Sequence, residues 1–182
     1  MSTAFSAAQL RASLWARQGA RVYAVIDGLV VPGIAGKLKA AKVAGWDGLQ
    51  RGALSAEAAE RAPYLAELID ASPFTDWLLG EVPSTYPGWG ILCITTEPLL
   101  PVREHCRAIG AVTTPDGTRR SWRWYDPDVL RAILPTLLAS QLDEVFSLRQ
   151  AIVIPERDAW TWLAMEDGLL STDVRPLMPT AH

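Results

Sequence analysis

The chain has 182 residues, of which 49% are hydrophobic and 20% charged, and its formal net charge at pH 7 is −3. This length and composition predict one domain, or one domain with a small appendage, and they exclude a disordered chain. The acidic balance argues against a general nucleic-acid binder, and no apolar run is long enough to predict a membrane span.

The first half of the chain alternates helical and extended patterns. Apolar spacing and capping residues predict the helices, and β-branched runs predict the strands. In chain order the predicted elements are a helix over 6–18, a strand over 21–31, a short helix over 34–43, a strand or loop over 46–52, a helix over 55–61, an extended segment over 62–69 and a helix over 72–80.

The second half has the same alternation and ends in a β-hairpin. Its predicted elements are a strand over 89–95, a helix from residue 99 to 109, a hairpin of 111–114 with 119–125, two apolar helices over 127–134 and 135–146, a second hairpin of 150–154 with 159–165, and a frayed tail over 171–182. We therefore predict a mixed α/β (α+β) fold. It is one compact domain with a mixed or antiparallel sheet packed by helices, in which residues 1–147 form the main domain and 148–182 a C-terminal hairpin and tail.

Two aspartates lie in strongly apolar surroundings. Asp126 precedes Pro127 at the start of a predicted helix, where its carboxylate is suited to accept the unpaired N–H groups of the first turn. Pro127 then occupies the first helical position, which needs no N–H donor. Asp27 interrupts the 21–31 strand together with Gly28. A general acid or base role is open to both carboxylates, but a cap and a strand-end acceptor explain them without chemistry.

Eight tryptophans are many for this length. Two pairs have two-residue spacing, Trp122 with Trp124 and Trp160 with Trp162, which on a strand places both rings on one face. One interpretation is an aromatic partner-binding surface that also includes Arg123 and Tyr125. The other is a sheet face packed under a helix. The sequence alone leaves both open.

The residues that enzymes and metal sites need are sparse. The chain has only two histidines, and it has no Gly-x-Ser-x-Gly elbow and no Cys-x-x-Cys pair. The two cysteines, Cys93 and Cys106, lie in apolar segments, so we expect free buried thiols and a reducing compartment. The first twenty residues lack the continuous apolar core of a signal peptide. We therefore expect a cytoplasmic protein with no catalytic residues, no cofactor and no metal.

Several short blocks, taken together, resemble the type VI secretion effector chaperone (adaptor) family. They are VYAVIDG at 22–28, APYL at 62–65, WLL at 77–79, WGIL at 89–92 and WYDPDVL at 124–130 with Leu134-Pro135, and they cover roughly residues 20–147. The resemblance implies a non-enzymatic protein of the bacterial cytoplasm. Such a protein binds a type VI effector, through the N-terminal region of that effector by our expectation, and helps to load it onto the VgrG spike protein.

Two other functions remain open at this stage. An immunity protein would also bind a toxin, but would neutralise it by blocking its active site. A small hydrolase or nucleotide-binding enzyme would require an ordered ligand beside Asp27 or Asp126.

Overall fold

One antiparallel sheet of seven strands organises the fold. The computed structural model describes residues 4–113 and 116–179. The strands of this sheet are β1 (Arg21–Asp27), β2 (Gly45–Gly48), β3 (Pro63–Glu67), β4 (Gly90–Thr95), β7 (Ala151–Pro155), β8 (Ala159–Glu166) and β9 (Leu169–Pro176). Their order is β2-β3-β1-β4-β7-β8-β9, and a separate pair is formed by β5 (Ala111–Thr113) and β6 (Arg119–Ser121). The predicted mixed α/β class is confirmed, and the sheet is antiparallel throughout.

Some of the helices begin where the sequence places capping residues. The hydroxyls of Ser6, Ser55 and Ser72 accept backbone N–H groups of the first turns that follow them. The helices are α1 (Ala7–Leu14), α2 (Ile34–Ala40), α3 (Ala56–Arg61), α4 (Pro73–Gly80), α5 (Val82–Thr85), α6 (Leu99–Ile109), α7 (Pro127–Ile133) and α8 (Ala139–Phe146), with a 3-10 turn over Leu134–Thr136 between the last two. Pro135 lies in that turn, so the second apolar helix begins later than predicted. Within the described residues, none of these helices has the length and apolarity that crossing a bilayer requires.

The sheet separates two clusters of buried apolar side chains. Alternate residues of β1 point to opposite faces, so Val22, Ala24 and Ile26 join one cluster while Tyr23 and Val25 join the other. Helices α1, α2 and α4 supply the first cluster, and helices α6, α7 and α8 supply the second. Because the central strands are covered on both faces, their sequences are continuously apolar and do not alternate.

The C-terminal segment belongs to this same sheet. The predicted hairpin is confirmed as β7 and β8, and β7 pairs with β4 through Leu92 and Val153. The predicted frayed tail is wrong, because β9 pairs with β8 along its whole length. The turn between them is Asp167-Gly168, with φ of 51° and 76°, and Asp-Gly is a strong hairpin signal that the sequence interpretation missed. Residues 180–182 of the predicted tail lie outside the described residues.

Candidate functional site

Asp27 lies at the end of β1 and is only 1% exposed. Its Oδ1 accepts the backbone N–H of Leu29 at 2.9 Å, and its own N–H donates to the carbonyl of Trp89 at 2.9 Å. The next residue, Gly28, donates to the carbonyl of Ala62 at 3.1 Å. A Cβ at position 28 would lie 2.4 Å from that carbonyl oxygen, so only glycine fits. The strand therefore ends in a tightly packed turn that holds a carboxylate inside the protein.

Arg123 supplies the positive charge that this buried carboxylate needs. Its guanidinium donates to Oδ2 of Asp27 and also lies 3.5 Å from Oδ2 of Asp126. Burial acts to lower the pKa of Arg123, but the hydrogen bond and charge of Asp27 outweigh it and raise that pKa above its ordinary value. The side chain of Arg123 is 43% exposed, so water reaches one side of the pair. The residue thus links the end of β1 to the start of α7.

Asp126 caps α7 as the sequence predicts. Its Oδ1 accepts the backbone N–H groups of Asp128 at 3.0 Å and Val129 at 3.4 Å. Pro127 occupies the first helical position and is buried. Both assignments as structural residues are confirmed. The remaining carboxylate oxygen of Asp126 faces Arg123, so the cap also belongs to the ion-pair group around Asp27.

A narrow cleft lies beside this group, with a volume of ≈ 180 Å³. Its lining includes Leu49, Gln50, Pro63, Trp122, Arg123 and Tyr125. Trp122 is half-buried, and its indole N–H donates to the carbonyl of Ile109 at 2.5 Å. Burial raises the pKa of the Tyr125 hydroxyl, and the negative charge of Asp27 raises it further, so this hydroxyl stays protonated at neutral pH. The cleft therefore offers apolar ring surface beside two arginines, Arg107 and Arg123.

The prediction that Trp122 and Trp124 share one face of a strand is wrong. Strand β6 ends at Ser121: the N–H of Trp122 still bonds to the carbonyl of Gly110, but the chain then turns away into α7. Trp124 is 2% exposed and belongs to the second buried cluster. Its ring stacks under the guanidinium of Arg149 at 4.7 Å and meets the ring of Tyr125 edge-on at 6.0 Å. Trp124 supports the floor of the cleft.

The second tryptophan pair lies on the opposite face of the sheet. Trp160 and Trp162 do share one face of β8, as predicted, with ring centroids 5.9 Å apart in a stacked arrangement. They are 2% and 9% exposed and belong to the first buried cluster, and Arg175 covers Trp162 at 4.0 Å. The expectation of an exposed aromatic surface is thus wrong for Trp124, Trp160 and Trp162. The structure brings together only Trp122, Arg123 and Tyr125 at a surface.

A larger groove of ≈ 840 Å³ lies elsewhere, between the end of α4 and the β7–β8 turn. Its lining includes Pro83, Ser84, Glu156, Arg157 and Asp158. Arg157 and Asp158 are exposed and lie within 3.8 Å of each other. The groove therefore presents neutralised surface charges, and no sequence signal had pointed to it.

The titratable groups near the cleft are placed for structure. Both cysteines are free and buried, as predicted, and burial raises the pKa of Cys106 to about 11 despite the nearby Arg149 charge. Such a thiol is protonated at neutral pH and is a poor nucleophile. His105 approaches the carbonyl of Val145 at 3.3 Å instead of pairing with Cys106. Across 4–113 and 116–179, no group of three or more His, Cys, Asp or Glu could hold a metal ion.

Sequence reasoning placed Arg123 in a partner-binding surface but missed its ion pair with Asp27, and it missed Arg149 altogether. Arg123 and Asp27 are 96 positions apart, and no local pattern announces their pairing. Arg149 is buried, donates to the carbonyl of Val145 and to Sγ of Cys106 at 3.3 Å, and has no sequence signature beyond following an apolar helix.

A family model described as "Domain of unknown function (DUF4123)" matches residues 22–144, which is more than half of the chain. All the residues that line the cleft lie inside the matched range, whereas the larger groove is formed partly by residues beyond it. No curated protein and no solved structure matches the chain.

Proposed function

Because the chain belongs to the family described as "Domain of unknown function (DUF4123)", we propose that it is a non-enzymatic adaptor of type VI secretion. It binds a toxic effector in the bacterial cytoplasm and helps to load that effector onto the VgrG spike. The resemblance of the blocks between residues 20 and 147 to effector chaperones motivates this function. The matched range covers nearly the same residues.

The observation that carries the proposal is the convergence of four of these five blocks at Asp27. The N–H of Asp27 bonds to Trp89, which opens the fourth block, and Asp27 pairs in register with Pro63 of the second block. Arg123 then ties Asp27 to Asp126 of the last block. Residues that are far apart in sequence meet at one place, directly beside the cleft. Four of the blocks that carry the resemblance thus meet at the end of β1, beside the cleft.

The size of the cleft favours a protein partner over a small-molecule substrate. Pockets for small ligands occupy about 300–1,000 Å³, and this cleft measures ≈ 180 Å³. That volume suits one or two side chains of a partner, the way hot-spot anchors fill small pockets at interfaces. The half-buried rings of Trp122 and Tyr125 would provide apolar contact, while Arg123 would pair with a polar or acidic group. We assign the effector-binding site to this cleft.

The test is a binding measurement with a matched control. The tagged protein is used to capture the type VI effector, or its N-terminal region, and separately VgrG. Trp122→Ala removes the ring at the cleft. Trp77→Ala removes another half-buried ring, which packs on the other cluster under Lys37. We expect Trp122→Ala to weaken effector binding by about 2 kcal/mol, roughly 30-fold, and Trp77→Ala to leave it unchanged.

Three outcomes would contradict the proposal. Failure to capture either the effector or VgrG would remove the adaptor function. Equal loss of binding in both variants would show that the cleft is not the site. Protection of cells that express the toxin, without any effect on delivery of the toxin, would instead support an immunity protein.

A further inference from the structure

The two outer edges of the sheet differ in length and in cover. The edge strand β2 has four residues, and side chains engage its last residue: the carbonyl of Gly48 accepts from Arg107 at 2.7 Å, and its N–H donates to Asp47 at 2.7 Å. The edge strand β9 has eight residues. A long open edge is a template for pairing with another strand unless charges, proline or a covering segment block it.

The direction of the backbone groups of β9 follows from two hydrogen bonds at its end. The N–H of Leu177 bonds inward to Asp158, and the carbonyl of Pro176 bonds outward to Phe5. Because inward and outward residues alternate along an antiparallel strand, the N–H and C=O groups of Leu170, Thr172 and Val174 point outward. Among the hydrogen bonds of the described residues, only the bonds of Phe5 occupy this edge, at the Pro176 end.

Among residues 4–113 and 116–179, no covering segment pairs with the stretch from 169 to 175. Its two charges, Asp173 and Arg175, pair with each other at 2.7 Å, so neither repels an approaching strand. The exposed fractions of Leu169 and Val174 are 73% and 56%. Phe5 forms an isolated parallel bridge with Leu177 beyond the end of β9, so backbone groups at this edge can pair with another segment. The open segment thus carries exposed apolar side chains among its polar ones, and its backbone is competent to form hydrogen bonds.

The open segment is symmetric about Thr172. It is bounded four residues before by Gly168 of the turn and four residues after by Pro176, which has no N–H. Antiparallel pairing of β9 with a second β9 centred on Thr172 places Leu170 opposite Val174 in both directions and Thr172 opposite Thr172. Apolar pairs and Thr–Thr pairs are favourable across strands. Every outward N–H and C=O between the two bounds finds a partner in this register.

We infer that β9 is a homodimer interface, in which two copies of this chain pair their β9 strands antiparallel about a twofold axis at Thr172. The two sheets join into one continuous sheet, and the interface is isologous, as in most soluble dimers. The inference concerns the protein alone and does not depend on the proposed effector or on VgrG.

The first test uses the mass of the purified protein in solution. Light scattering should give about twice the 19.9 kDa of one chain. Thr172→Pro removes the central outward N–H, at the kind of edge position that Pro176 already occupies, and should raise the dissociation constant by about tenfold or more. Thr172→Ala keeps the N–H and should remain dimeric. Val174→Lys places a charge at an exposed site and should also give monomers, which decides the matter if the proline variant does not fold.

The second test determines the register. In the proposed pair the two Thr172 Cα atoms lie about 5.5 Å apart, within the range that a disulfide spans. Thr172→Cys should therefore form a linked dimer rapidly under mild oxidation. Ser171→Cys is the control, because Ser171 lies opposite Asp173 of the second copy and not opposite itself. The native Cys93 and Cys106 are buried and do not interfere.

Three results would overturn the inference. One is a wild-type protein that stays monomeric at about 100 µM. Another is a dimer whose mass neither Thr172→Pro nor Val174→Lys changes. The third is linkage of Ser171→Cys as fast as that of Thr172→Cys. A fourth result would replace the inference with another. If the wild-type protein is a monomer and Thr172→Pro abolishes its capture of the effector, the edge of β9 pairs with a strand of the effector instead.

Discussion

Removal of Arg123 should expose how much the fold depends on the charge pair at the end of β1. In Arg123→Ala the carboxylate of Asp27, which is 1% exposed, loses its positive partner. Breaking a buried ion pair on one side costs about 3–5 kcal/mol. Because the side chain of Arg123 is 43% exposed, water can partly replace it, and we expect a smaller loss of about 2–3 kcal/mol in the free energy of unfolding.

The decisive comparison is with a variant that removes the charge of Asp27. An amide in Asp27→Asn can still accept the N–H of Leu29, so we expect this change alone to cost about 1–2 kcal/mol. In the double variant no uncompensated charge is left inside the protein. The double variant should therefore be more stable than Arg123→Ala alone, and the two losses should not add.

Urea denaturation at neutral pH measures all four proteins in one series. Arg131→Ala is the matched control, because Arg131 pairs with Glu156 while both side chains are partly exposed, at 35% and 45%. It should cost less than about 1 kcal/mol. A double variant that is less stable than Arg123→Ala, or a loss no larger than that of the control, would refute the view that Asp27 is a buried charge in need of its partner.

Three further outcomes are expected. Trp124→Ala should lower the unfolding free energy by about 3–5 kcal/mol, measured by denaturation, because it opens a cavity in the second buried cluster, whereas Asp126→Ala should cost only about 1 kcal/mol through loss of the cap. Burial, and then the charge of Arg149, lowers the pKa of His105. The neutral His105 side chain therefore makes its full contribution to stability above the ordinary histidine pKa of about 6.5, and this contribution is lost as the pH falls below that value. His105→Gln should therefore reduce the loss of stability between about pH 7 and about pH 5, and an unchanged slope would contradict this.

Local signals allowed much of the fold to be predicted. The serine before α3 and the Ser-Pro pair before α4 act within one turn, so their effect on the backbone does not depend on the rest of the chain. The Asp126-Pro127 start of α7 is confirmed for the same reason. The apolar run of β1 was recognisable because strands buried on both faces need no polar positions.

The remaining features depend on partners that are distant in sequence. The pairing of Asp27 with Arg123 requires the path from β6 to α7 to be known. β9 carries polar residues among apolar ones because it lies at an edge, and this mixed pattern obscured it. The Asp167-Gly168 turn was the available signal. The wrong prediction for Trp122 and Trp124 had another cause. Two-residue spacing places side chains on the same face only inside a strand, and β6 ends one residue before Trp122.

The two-sided core also changes where recognition can reside. All eight tryptophans lie in the described part of the chain, and none is exposed, because a sheet covered on both faces has two cores to fill. Surplus aromatic residues are therefore no evidence for a binding surface here. The two proposed sites are the cleft at Trp122 and Arg123, beside β3, and the edge of β9, which lies at the other end of the strand order. Sites at opposite ends of one sheet can be occupied together, so Thr172→Pro should leave effector capture intact if both proposals hold, and Trp122→Ala should leave the dimer intact.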